Sequence, residues 1–198
     1  MRRRTAAGLL LAAGLLLAGC GIRPTEVPTE FGTAPSRVPC TASASEIAPQ
    51  AAGGLPVQVF LICGSQLVSV DRSVALSDGR TRDDRVFVAQ ALLDELRERP
   101  SGAEEKAGFT SDVKSAITVR GARPDDPKQA LRLSTPPERL TPFALAQVVC
   151  TLVHGVGAGE DAVLLGGTDD DAALRAYPCT DTERARPEIM PVPSESVG

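Results

Sequence analysis

The chain has 198 residues and a formal net charge of −4; 42% of it is apolar and 23% charged. That balance permits a packed core and excludes collagen-like, coiled-coil and multi-span membrane architectures. Aromatic residues make up only 3%, with no tryptophan and a single tyrosine, Tyr177, which argues against a stacking platform for sugars or single-stranded nucleic acid.

The first segment is an export signal by pattern. Arg2, Arg3 and Arg4 are followed by an unbroken run of apolar and small residues from Ala6 to Ala18. The run is shorter than the roughly 20 residues a spanning helix needs. A basic start and a short apolar stretch together read as a secretory leader over residues 1–19. Its ending, Leu17-Ala18-Gly19-Cys20, resembles the bacterial lipobox. The resemblance implies that the Cys20 sulfur receives diacylglycerol and that Cys20 becomes the first mature residue. The alternatives are an ordinary leader with a chance cysteine, or an uncleaved anchor. Removing residues 1–19 takes away three arginines and no acid, so the net charge moves from −4 to −7. Such an acidic body is repelled by nucleic acid and anionic lipid heads, so the expected contact with the bilayer is the lipid on Cys20.

Residues 20–54 read as a tether. Pro24, Pro28, Pro35, Pro39 and Pro49 stand among Thr, Ser, Ala and Gly, with no lasting apolar period. A single α+β domain is expected over 55–179. It opens with a β-rich run from Pro56 to Cys63. Gly64-Ser65 suits a tight turn, and Gln66–Val74 alternates around Val68, Val70 and Arg72, predicting a hairpin. Asp83–Arg99 reads as a helix with Val86, Ala89, Leu93 and Leu96 on one stripe, Thr81 or Asp83 as cap and Pro100 as stop. The following stretch reads as a loop, with Glu104-Glu105-Lys106 as solvated surface. Ala116–Arg120 and Ala130–Ser134 alternate as short strands around the turn Pro124–Pro127.

Thr141-Pro142 is a cap followed by proline at the first helical position. The helix Pro142–Val153 is apolar nearly all round apart from Gln147 and Thr151, which predicts cover on more than one side. Gly155 and Gly157 are expected to end it. Asp161–Gly166 reads as a strand, and 169–178 as a helical start leading to an edge strand at Tyr177. Residues 180–198 read as a disordered polar tail. The order β-β-α-β-β-α-β predicts a mixed sheet of about five strands with two helices packed on one face.

Besides Cys20 there are Cys40, Cys63, Cys150 and Cys179, an even number in a compartment that permits disulfides. No Cys-x-x-Cys occurs, which disfavours a zinc ribbon and a thioredoxin-type pair. Three pairings are open. The shortest loops favour Cys40–Cys63 with Cys150–Cys179; buried free thiols are the alternative.

Catalytic chemistry finds few residues. His154, the only histidine, ends an apolar helix, where a cation is favoured by the helix dipole. No Gly-x-Ser-x-Gly elbow occurs. Asp169-Asp170-Asp171 lacks the alternation of a calcium loop and reads as acids in a first helical turn. Gly155-Val-Gly-Ala-Gly159 has helix before and strand after, the reverse of a phosphate cradle. The pairs Glu104/Glu105 and Asp125/Asp126 lack the sugar-stacking aromatics of a glycosidase cleft. No catalytic residue, metal site or cofactor is expected.

Several strings in order resemble the GerMN domain, found in sporulation proteins and actinobacterial lipoproteins. They are Val57-Gln-Val-Phe-Leu with Leu67-Val-Ser-Val, the helix Ala91-Leu-Leu-Asp-Glu-Leu before Pro100, and Gly108-Phe-Thr-Ser. Leu131-Arg-Leu-Ser, Ala146-Gln-Val-Val-Cys-Thr-Leu and Ala162-Val-Leu-Leu-Gly-Gly follow. The four cysteines and the doublet Gly166-Gly167 depart from the family pattern. The resemblance implies a non-catalytic protein-interaction module of the cell envelope, whose relatives act in envelope assemblies or beside sensor kinases. The expected partners are therefore the bilayer, through lipidated Cys20, and an envelope protein, not nucleic acid. The alternative is a lipoprotein that binds a small ligand or a cell-wall component.

Overall fold

The computed structural model describes residues 39–41, 54–75, 84–157, 161–169, 172–193 and 195–197. Leu17, Ala18, Gly19 and Cys20, with the whole expected leader, lie outside the described residues, as does most of the expected tether. The architecture is α+β. Among the described residues it has seven strands and four α-helices.

Strands β1 (Leu55–Cys63) and β2 (Gln66–Val74) form the expected antiparallel hairpin, with Phe60 opposite Ser69. Gly64 turns it at φ 64°, a left-handed conformation that glycine adopts without a Cβ clash. A two-residue strand, β3 (Phe109–Thr110), adds to the end of β1. The remaining strands are β4 (Val119–Arg120), β5 (Leu131–Leu133), β6 (Ala162–Gly167) and β7 (Arg175–Pro178). The order is β2-β1-β3 in one sheet and β4-β5-β6-β7 in the other, with only β5–β6 parallel.

This corrects the single five-stranded sheet. The reason lies at the far edge of β1. Its end is taken by β3, and further along the Phe60 N–H donates to Thr151 Oγ1 (3.0 Å) while the Phe60 carbonyl accepts from Gln147 Nε2 (2.9 Å). Both side chains are fully buried and come from α3 (Pro142–Val156). The two polar breaks in an apolar helix therefore stand in for a neighbouring strand, and no strand of the second sheet can pair there.

Thr141 caps α3 by accepting from the Ala144 N–H (3.2 Å), with Pro142 in the first turn. Every residue from Ala144 to Val153 is buried, because α3 packs on α1, β1, β6 and β7 at once. The helices thus touch strands of both sheets instead of sharing one face of one sheet. Helix α1 (Arg85–Arg97) buries Val88, Ala89, Leu92, Leu93 and Leu96. Its cap is Asp84, whose Oδ1 accepts from the Phe87 N–H at 3.1 Å; the expected caps Thr81 and Asp83 lie outside the described residues. Gly155 does not end α3, which runs to Val156 with Gly157 as cap. Gly155 instead keeps the crossing with α1 close: a Cβ there would run into the Leu92 side chain.

Two regions read as irregular are helical. Gly102–Ala107 forms α2, started by a capping box: the Glu104 N–H donates to Ser101 Oγ (3.3 Å) and the Ser101 N–H donates to Glu104 Oε2 (2.7 Å). Asp181–Ala185 forms α4 through an equivalent box on Thr180 and Glu183. A 3-10 turn at Pro187–Ile189 then places Met190, 6% exposed, in the core against α3. The segment expected to be a disordered tail from 180 thus contributes to the domain. Of the helical start expected from residue 169, Asp170 and Asp171 lie outside the described residues; the Ala172 N–H donates to Asp169 O, and Ala172 to Leu174 are not helical.

One apolar cluster joins both sheets, including Val59, Leu92, Leu131, Leu152, Leu165 and Tyr177. Each fully buried leucine contributes roughly 1.5–3 kcal/mol relative to exposure.

Candidate functional site

All four cysteines of the domain are bonded: Cys40 to Cys63, with Cα atoms 5.7 Å apart, and Cys150 to Cys179, at 5.1 Å. These are the pairs that close the shortest loops. Cys40 has a positive φ of 52°, and its N–H donates to Ala107 O at 3.2 Å. The chain preceding β1 is therefore fastened to the domain at residue 40, beside the hairpin turn.

The charged residues near this end are committed to one another. Glu104, read as solvated, is fully buried. Both its oxygens accept from the Arg72 guanidinium, at 2.6 and 2.9 Å. Burial alone would raise its pKa; the hydrogen bonds from Arg72 and the Ser101 N–H outweigh that and hold it below the usual range. Arg72 also approaches Glu95 at 3.4 Å, so one side chain of β2 binds α1 and α2. Burial, then Glu98, pushes Glu95 up.

At the second sheet Arg132, 5% exposed, grips Asp126 through two contacts of 2.5 and 2.9 Å. It also donates to Ala172 O at 2.7 Å. The Arg132 hydrogen bond lowers the Asp126 pKa to about 2 against the effect of burial. Gly166 leaves room for this, since a Cβ there would stand 2.6 Å from Arg132 Nη1. Arg123 donates to the carbonyls of Thr168 and Asp169, both at 2.7 Å. Asp170 and Asp171 lie outside the described residues. The carboxylate pairs weighed from the sequence are thus divided: Glu104 and Asp126 hold arginines, while Glu105 and Asp125 face solvent.

His154 is exposed in the last turn of α3. Its ring lies 4.8 Å from that of Phe60, and Arg184 Nη1 is 3.3 Å from Nε2. Desolvation by burial, then the Arg184 charge, lowers its pKa. Both effects oppose the cation that the helix dipole favours. Beside it an open cleft of about 350 Å³ is lined by Leu55, Pro56, Gln58, Asp71, His154 and Gly155. A second groove, about 320 Å³, runs past Asp112, Lys114, Arg139 and Thr141. Among the described residues no three His, Cys, Asp or Glu side chains converge as a metal group.

Glu104 and α4 were missed although both carried a signal. Ser101-Gly-Ala-Glu104 and Thr180-Asp-Thr-Glu183 have the capping-box spacing. No family model, curated protein or solved structure matches the chain.

Proposed function

We propose that the chain is a lipid-anchored, extracytoplasmic module of the cell envelope that works by binding a protein and performs no catalysis. Its α+β domain is read as a single GerMN-like domain carried by diacylglyceryl-Cys20, and a sensor kinase or envelope assembly is the class of partner. The observation that carries this reading is the pairing of Cys40, Cys63, Cys150 and Cys179 in two bridges, together with the string Leu17-Ala18-Gly19-Cys20, which we read as the end of a leader. Such bridges belong to oxidising compartments. Two carboxylates support it too, since Glu104 and Asp126 are each held by an arginine and serve packing. No helix of the described residues is long and apolar enough to cross a membrane.

Cys40 lies twenty positions after Cys20. At full extension that stretch reaches at most about 70 Å, which bounds how far Cys40 can stand from the bilayer.

The test is photo-cross-linking of the full-length chain from the exposed positions Arg120, Lys128 and Glu188. A saturable adduct with one envelope protein is expected from at least one of them. Absence of any heterologous adduct from every tested surface position contradicts the reading. The second reading, a small-ligand or cell-wall-component binder, is favoured by the cleft beside His154.

A further inference from the structure

We propose that the free edge of β2, over Leu67–Asp71, docks an extended strand of a heterologous, basic envelope protein. This rests on the interaction-module reading above.

The hydrogen-bonding direction follows from α3. The Phe60 N–H and carbonyl point away from β2, because they bond Thr151 and Gln147. Phe60 faces Ser69. In an antiparallel pair, facing residues turn their backbone groups either both inward or both outward. The Ser69 N–H and carbonyl therefore point away from β1, and those of Leu67 and Asp71, two residues to either side, do the same. β2 is the outer strand of its sheet. Among the described residues nothing accepts from the N–H groups of Leu67, Ser69 or Asp71, and the Asp71 carbonyl receives only the Arg72 guanidinium at 3.3 Å. The opposite edge of the same hairpin is sealed by β3 and α3. The open edge is thus a template for one added strand, which needs only backbone pairing to bind.

Side chains along the edge define what fits. On one face Ser69 and Asp71 are exposed while Leu67 is buried, on a strand that α4 also packs against; on the other Val70 is buried and Val68 half-buried. An incoming strand therefore alternates, with apolar side chains continuing the Val68–Val70 face and hydroxyl or basic side chains beside Ser69 and Asp71. The Asp71 carboxylate is held in place by Gln58 Nε2 at 3.0 Å, ready to meet a lysine or arginine. Charge also chooses the occupant. The chain without its leader carries −7, so a second copy brings repulsion where a basic partner brings attraction.

The test uses the full-length chain in detergent micelles and a synthetic peptide, Thr-Val-Lys-Val-Thr-Val-Lys. Saturable binding is expected, with slowed amide exchange by mass spectrometry confined to residues 66–74. Ser69→Pro removes an N–H that makes no ladder bond, so the hairpin stays intact while strand addition is blocked. It is expected to weaken binding at least tenfold, and Asp71→Lys several-fold, with an unchanged melting profile. Equal affinity in both variants, protection elsewhere, or no binding up to millimolar peptide overturns the proposal. Should Ser69→Pro unfold, Asp71→Lys and the exchange pattern of the unaltered protein decide in the same way. Self-association of the chain that is abolished by either variant would assign the edge to a second copy and overturn the heterologous partner. Cross-links from other faces that ignore both variants would leave the interaction-module reading standing and remove this edge alone.

Discussion

Arg72→Met is expected to destabilise the domain by about 3–5 kcal/mol at neutral pH, because it strands a buried carboxylate. For a domain of this size that lowers Tm by roughly 10–15 °C. Arg72 supplies both guanidinium contacts to Glu104, which has no exposed surface, and its Nε approaches Glu95. Without Arg72 the Ser101 N–H remains as the donor to Glu104. The pH dependence separates this account from simple loss of packing. In the unaltered chain Glu104 has a depressed pKa, so its contribution is present above the ordinary carboxylate pKa and is lost as pH falls through the lower, folded value. In Arg72→Met only Ser101 still opposes burial, the Glu104 pKa rises relative to that in the unaltered chain, and protonation relieves part of the penalty. The gap between the two proteins should therefore narrow as pH falls towards 4. Arg72→Met/Glu104→Leu should recover most of the loss, since no buried charge is left unpaired. Urea melts across pH check both points. A penalty below about 1 kcal/mol, or a gap that widens in acid, contradicts a buried ion pair of this kind.

Cys150→Ala/Cys179→Ala is expected to cost about 3–4 kcal/mol, the loop-closure value for a bridge of this span. The separation is 29 residues, and the bond joins the middle of α3 to the residue after β7. It therefore holds the second sheet's edge strand and the following α4 onto the central helix. Alanine is chosen because both sites are buried, at 0% and 4% exposure, and serine would add a buried hydroxyl. Denaturant melts of the double variant should show this drop, and reductant, which also opens Cys40–Cys63, should give a larger one in the unaltered chain. A loss below about 1 kcal/mol would mean that packing of Tyr177 and Met190 holds these elements without the bond.

How far the fold could be read from sequence depended on the length of each element. The β1–β2 hairpin and α3 were legible, the first from alternation around Gly64-Ser65, the second from Thr141-Pro142 and a continuous apolar run. Helix α2 has six residues, too few for an apolar period. Its only mark was the Ser101–Glu104 spacing, and the charged string Glu104-Glu105-Lys106 pointed the wrong way because burial of Glu104 depends on Arg72, remote in sequence. The division into two sheets was not legible for a related reason. The far edge of β1 is closed to the second sheet by Gln147 and Thr151, and their hydrogen bonds to Phe60 cross 87 and 91 residues. Gly155 illustrates the same limit: its glycine reads locally as a helix stop, while its use is the contact with Leu92. The candidate edge on β2 follows only once those long-range bonds fix the direction of each backbone group.

Partition of the full-length chain and its Cys20→Ala variant between detergent and aqueous phases tests the central claim most directly. The unaltered chain should enter the detergent phase, begin at Cys20 by mass and carry a diacylglyceryl group, while the variant stays in the aqueous phase or keeps its leader. Equal partition of the two, or a native chain lacking lipid on Cys20, would contradict it.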